Sequence, residues 1–254
     1  MQGENRLQNP VVGARPGIRA LSLVMNDVSN ALSTRRKPVV RPRDAASLIL
    51  LRGEGDDIEV LAGRRPLHVR FMPGVHVFPG GAIDPPDRLA WSLEVGTETL
   101  GPRLAPCARA ALRETWEEAG VLIGRAAGSH SPAPASRPIE RAYNENGLVA
   151  AMDLLIYVGR AITPSHSNRR FNTRFFLCEG EHVFGEPSSS DELEDVRWYP
   201  VGRHPLESFR DVTRFMLARA IALRSGSAAG EPPLFYWAKN ARRIGVCREA
   251  RFTG

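Results

Sequence analysis

Residues 113–121 read Arg-Glu-Thr-Trp-Glu-Glu-Ala-Gly-Val, and a Phe78-Pro79-Gly80-Gly81 turn lies upstream of them. A helical residue advances by about 100°. Glu114, Glu117 and Glu118 therefore stand at i, i+3 and i+4 and share one face. Like charges at that spacing repel by a few tenths of a kcal/mol, roughly. Ala108, Ala111, Leu112, Thr115 and Ala119 face another way and can pack on a core. Three clustered carboxylates opposite a packed stripe suit hard divalent cations, which take oxygen ligands. An acidic helical run is more often a solvated face. Here Arg113 can pair with Glu117 at i+4, Gly120 supplies a helix stop, and Gly80-Gly81 lets backbone approach a ligand closely.

Working outward, Asp44 to Leu51 reads as a first strand, 53–57 as a hairpin turn and Ile58 to Ala62 as the returning strand. Val75 to Phe78 is a short strand entering the Gly-Gly turn, and the acidic helix runs from about Ala105 to Ala119. Residues 124–140, rich in Gly, Ser, Pro and Ala, read as a loop. Leu154 to Ile162, Arg170 to Leu177 and Val196 to Tyr199 read as strands, and Leu206 to Leu223 as a helix. Intermixed strands and helices, with hairpin-linked strands first, indicate an α/β fold with a mixed sheet between helices.

The chain has 254 residues, 43% of them hydrophobic and 24% charged, an ordinary globular composition. That length accommodates one domain of about 150–200 residues plus tails. No apolar run approaches the ~20 residues of a bilayer span. The net charge of +6 invites a nucleic-acid reading. Its distribution argues against one. Residues 1–45 carry 8 basic and 3 acidic side chains, 239–254 carry 5 and 1, and 46–238 carry 21 and 24. The surplus thus sits in the tails. Cys107, Cys178 and Cys247 are odd in number and far apart, so neither a disulfide framework nor a zinc site is expected. A reducing, cytoplasmic setting follows from that reading. Residues 1–42 read as a disordered extension or a misassigned start, with Met25 as an alternative beginning. Residues 43–240 read as the domain and 241–254 as a basic tail.

The motif Arg-Glu-x-x-Glu-Glu-x-Gly-hydrophobic after a Gly-Gly turn resembles the signature of the Nudix hydrolases. Gly81 fits its first glycine; Arg113, Glu114, Glu117, Glu118, Gly120 and Val121 fit its second half. Three departures stand out. Gly81 and Arg113 are 32 apart instead of 14, so 18 residues are inserted. Counting back from Arg113, the early glutamate falls on Ala105, and Thr115 takes a hydrophobic position. The insertion, with Pro85, Pro86, Gly96, Gly101 and Pro102, reads as an enlarged loop.

Residues 60–81 also resemble the extra motif of the coenzyme A-directed Nudix branch, with Arg65, Arg70, Gly74 and Phe78 to Gly81 in its spacing. Segments 160–164, 169–176 and 233–236 resemble parts of the peroxisomal-type CoA diphosphatases and their bacterial relatives. The resemblance implies the Nudix α/β/α sandwich. It also implies hydrolysis of a nucleoside diphosphate derivative, coenzyme A or acyl-CoA foremost, to 3′,5′-ADP and (acyl)phosphopantetheine. Mg²⁺ or Mn²⁺ would be held by Glu114, Glu117, Glu118 and the Gly80 carbonyl, with Arg113 orienting Glu117. Arg65, Arg70 and Gly81 would meet the substrate. The general base is a glutamate of the helix or of a later loop, where Glu192 is favoured over Glu194. Two alternatives stay open: ADP-ribose or another nucleoside diphosphate as substrate, and a catalytically silent Nudix module that binds a ligand. The expected partner is a small nucleotide, with neither nucleic acid nor membrane, and a homodimer stays open.

Overall fold

The computed structural model describes residues 40–128, 135–202, 208–239 and 241–247. The expected extension therefore lies almost wholly outside the described residues. In chain order the strands are β1 (Arg43–Arg52), β2 (Glu59–Arg64), β3 (His76–Val77), β4 (Gly80–Ala82), β5 (Glu94–Val95), β6 (Leu122–Ile123) and β7 (Arg125–Ala126). There follow β8 (Leu148–Ala151), β9 (Ile156–Ile162), β10 (Phe171–Glu179), β11 (Val183–Phe184), β12 (Glu194–Pro200), β13 (Pro233–Ala238) and β14 (Ala241–Val246). The α-helices are α1 (Gly101–Ala119), α2 (Pro138–Glu145) and α3 (Asp211–Arg224).

The main sheet has nine strands in the order β12-β2-β1-β10-β9-β13-β14, with β3 added to β2 and β4 to β1. It is mixed: β1 runs parallel to β10 and β9 parallel to β13, while the hairpin β1–β2 and the pair β1–β4 are antiparallel. β1 sits centrally, and Ala45 to Leu51 are all buried. That is why its sequence is a nearly unbroken apolar run: a strand covered on both faces has no solvent side to mark with polar residues. Ala46, Leu48 and Leu50 join the core under α1, and Ile49 and Leu51 join the core under α3. Helices on both faces make the α/β/α sandwich. Among the described residues no helix is long and apolar enough to cross a membrane. The three cysteines are free and buried.

Four expectations change. The 18-residue insertion is not a plain loop. It carries a 3₁₀ turn at Pro85–Arg88 and the strand β5, which pairs with β8, and it buries Trp91 and Leu93. The 124–140 stretch contains β7 and the start of α2. The second long helix starts at Asp211, and Phe209 instead forms a bridge with His76. The basic tail begins later than 241, because Ala241–Val246 form β14 against β13. Arginine on an edge strand keeps its charge in water, so Arg242 and Arg243 are compatible with pairing. Phe175 and Phe176 are core residues, as their apolar neighbours imply.

α1 begins one turn before its expected start, with Pro102 in the first turn, where a missing N–H costs nothing. It ends at Gly120, whose φ of 72° places it in the left-handed region. Its buried stripe is largely alanine, Ala105, Ala108, Ala110 and Ala111 among them. Small side chains let the helix lie close on β1 and β4. Thr115 is fully buried and donates its hydroxyl to the Ala111 carbonyl at 2.7 Å. The hydroxyl is satisfied within the helix, so threonine serves at an apolar position.

Candidate active site

The acidic face of α1 meets the glycine corner directly. The Gly80 N–H donates to Glu118 Oε2 at 2.8 Å, and Glu118 is only 4% exposed. A Cβ added to Gly81 would overlap the Glu114 carboxyl. At Gly80 φ is +155°, and a Cβ there would run into the Ala46 carbonyl oxygen of β1. Both positions therefore need glycine, one to admit Glu114 and the other to let β4 lie on β1.

Glu117 is the outer member of the trio. Its carboxylate accepts from Arg113 Nη1 at 2.7 Å, the i,i+4 pair expected from the spacing. Arg113 also stands 3.0 Å from Glu114 Oε1 and donates to the Ala82 carbonyl at 3.0 Å. Its remaining anchor is Asp87, which accepts from Nε at 3.1 Å and from Nη2 at 3.0 Å. Asp87 is 1% exposed. Sequence reasoning missed this residue. The signal was present: Asp87 lies six residues after Gly81, where the signature puts its early acid. Counting back from Arg113 across the insertion had pointed to Ala105 instead. The extra residues thus follow the early acid, and the contact between its carboxylate and Arg113 is kept. A second buried pair, Arg109 with Glu94 at 2.6 Å, ties the insertion to the same helix.

Burial dominates the electrostatics. It pushes the Glu118 carboxyl up to about 8, against the pull of the Gly80 N–H and with Glu114 and Glu192 adding repulsion. Burial likewise raises Glu114 to about 7, opposed by Arg113 and reinforced by Glu117 and Glu192. Two adjacent carboxylates removed from water are stabilised in their ionised form by a nearby cation. Among the described residues no three His, Cys, Asp or Glu side chains are grouped so that they could hold a metal ion. Glu117 instead lies on Arg113. At the corner itself Glu114 and Glu118 offer oxygen donors only, the ligand chemistry that Mg²⁺ and Mn²⁺ take.

Glu192, on the loop before β12, is close enough to act on both Glu114 and Glu118. Glu194 is engaged elsewhere, bonded to Arg64 Nη2 at 2.9 Å. Arg65 acts favourably on Glu118, and its Nε donates to the Phe71 carbonyl at 3.0 Å, which fixes its loop. Arg70 is exposed, and among the described residues no hydrogen bond or ion pair links it to the three glutamates. Of the nine positions singled out from sequence, Gly80, Gly81, Arg113, Glu114, Glu117, Glu118, Glu192 and Arg65 gather at one place, and Arg70 does not join them.

No family model matches the chain. It is similar to the Caenorhabditis elegans protein named nudix hydrolase 7, with 30% identity over 165 residues. That match takes in 61% of this chain, which spans about half the length of that curated relative, 50%. It is also similar to the crystal structure of a NUDIX hydrolase from Alicyclobacillus acidocaldarius, with 33% identity and a TM-score of 0.54. The likeness covers 73% of this chain and 96% of that one. Identity of that order across nearly a whole solved relative, on the same fold, places this chain in the Nudix hydrolase family.

Proposed function

We propose that this protein hydrolyses the diphosphate of a nucleoside diphosphate derivative, with coenzyme A or acyl-CoA as the foremost substrate. The observation that carries the reading is the seating of Glu114 and Glu118 against Gly80 and Gly81. Glu114, Glu117 and Glu118, with the Gly80 carbonyl, would hold Mg²⁺ or Mn²⁺. Such an ion, when bound, neutralises diphosphate charge and makes its water more acidic. Arg113, held by Asp87 and Ala82, keeps Glu117 and Glu114 in place as a positioning residue. Glu192 is the favoured general base. It takes the proton from the attacking water, whose oxygen bonds to one phosphorus as the P–O bond to the bridging oxygen breaks. The products are two phosphate monoesters, 3′,5′-ADP and (acyl)phosphopantetheine for coenzyme A. Arg65, beside Glu118, would meet a diphosphate oxygen.

Support for coenzyme A comes from the spacing of Arg65, Gly74 and Phe78 to Gly81. Arg70 adds nothing to it from where it stands. The best support for the silent-module alternative is the alanine at 105, where counting back from Arg113 puts the early acid, and Asp87 on Arg113 weakens it. ADP-ribose and related diphosphates remain the competing substrates. Mass analysis of products from coenzyme A and ADP-ribose, with Mg²⁺ and then Mn²⁺, separates the two. Faster cleavage of coenzyme A, yielding 3′,5′-ADP, is expected. Much faster cleavage of ADP-ribose overturns the coenzyme A assignment.

A further inference from the structure

Glu192 is exposed, yet it acts on both Glu114 and Glu118. A glutamate side chain has several free rotors and takes its direction from the backbone beneath it. That backbone belongs to the stretch between β11 and β12, which is pinned at both ends. At its start, β11 pairs with β6. The Ser188 N–H then donates at 3.0 Å to the carbonyl of Ala119, the last residue of α1. Gly120 leaves room for this contact, since a Cβ there would overlap the Ser188 hydroxyl. The stretch is thus tied to the end of the helix that carries the three glutamates.

At the far end Leu193, the residue after Glu192, is fully buried in the core under α1. Its side chain fills space that Gly63 of β2 leaves open: a Cβ at 63 would stand 2.4 Å from Leu193 Cγ. Beyond Leu193 a bulge interrupts the pairing of β12 with β2 between Glu194 and Arg197. Asp195 sits in that bulge at a φ of 52°, and the Tyr199 hydroxyl lies 2.8 Å from both its carbonyl and its carboxylate. Bulges re-aim a strand beside functional sites.

Between the two pins, Ser190 closes the turn. Its N–H donates to the Leu193 carbonyl at 2.9 Å. Its hydroxyl oxygen accepts the Leu193 N–H at 3.2 Å and the Glu192 N–H at 3.4 Å. The Ser189 hydroxyl accepts the Val196 N–H at 3.2 Å. Rotating the peptide units around Glu192 would break these bonds.

We infer that Ser190 is a positioning residue for hydrolysis: its hydroxyl holds the backbone beneath Glu192, so that the Glu192 carboxylate is turned toward Glu114 and Glu118. The inference rests on Glu192 being the general base, as argued above.

Steady-state kinetics of the full chain with Mg²⁺ test it, on coenzyme A or ADP-ribose, whichever the unmodified protein cleaves faster. Ser190→Ala should lower kcat about fivefold, the effect of one lost hydrogen bond, with KM and Tm nearly unchanged. Ser190→Thr, which keeps the hydroxyl, should recover most of the rate. In a Glu192→Gln background Ser190→Ala should cost no further rate, because the group it positions is gone. An unchanged kcat in Ser190→Ala, or an equal loss with and without Glu192, overturns the inference and leaves the base in place. Full rate in Glu192→Gln alone is a different failure: it removes the base, and this inference falls with it.

Discussion

Glu118→Gln should stabilise the protein in the absence of divalent metal while removing its catalysis. The amide oxygen of glutamine can still accept the Gly80 N–H, so the bond at the corner survives the change. What disappears is a buried charge. The Glu118 carboxyl is raised from 4.5 to about 8 in the folded protein. Below pH 4.5 the group is protonated in both folded and unfolded chains, and it costs nothing. Between 4.5 and about 8 the unfolded chain ionises first, and the folded state loses about 1.4 kcal/mol per pH unit. The loss reaches about 5 kcal/mol by pH 8 as an upper bound. Coupling to Glu114 and local relaxation bring the expected gain of the variant nearer 2 kcal/mol. For a domain of this size that is about 4–8 °C in Tm. Thermal unfolding in EDTA at pH 5 and at pH 8 reads it. The two proteins should nearly coincide at pH 5, and the variant should unfold at a higher temperature at pH 8. Added Mg²⁺ or Mn²⁺ should raise the unmodified protein at pH 8 and move the variant much less. A variant less stable than the parent at pH 8 in EDTA, or a gap that does not widen with pH, refutes the reasoning.

Asp87→Ala strips the Arg113 guanidinium of a buried partner and should cost about 3 kcal/mol in urea unfolding. Metal affinity, followed by titration calorimetry, should fall with it. Gly81→Ala drives a methyl group into the Glu114 carboxyl, the far end of a flexible side chain. Its hydrolytic kcat/KM should drop at least tenfold, roughly the 1.4 kcal/mol of one displaced ligand, while Tm changes little. Glu192→Gln should lower kcat by about 10²–10⁴ if it is the base. Glu194→Gln, which only releases an exposed pair with Arg64, should retain most of the rate. Equal losses in the two variants would move the base elsewhere.

The acidic helix was legible because its information is local: three glutamates at helical spacing, an alanine stripe and a terminal glycine lie within one element. β1 was legible for the same reason. The glycine corner and the helix could be placed together only through the resemblance, since nothing local states that Gly80 will meet Glu118, 38 positions on. The insertion was misread because its order comes from distant contacts. Trp91 and Leu93 are two apolar residues in a Pro- and Gly-rich stretch, and distant partners, Arg109, Arg113, Glu140 and β8 among them, give that stretch a fixed course. β14 was misread because its arginines were counted as tail charge, although an edge strand leaves them solvated. Asp87 was lost to the direction of counting.

The bond from Asp87 to Arg113 has a wider consequence. Chain order separates the two residues by 26 positions, yet the pair closes as though nothing intervened. What keeps the glutamates in position is a meeting in space, indifferent to the length of polypeptide between its ends. Within residues 88–100 a change of length is therefore tolerable wherever it spares Trp91, Leu93 and the Glu94 carboxylate, which seat the stretch on the same helix.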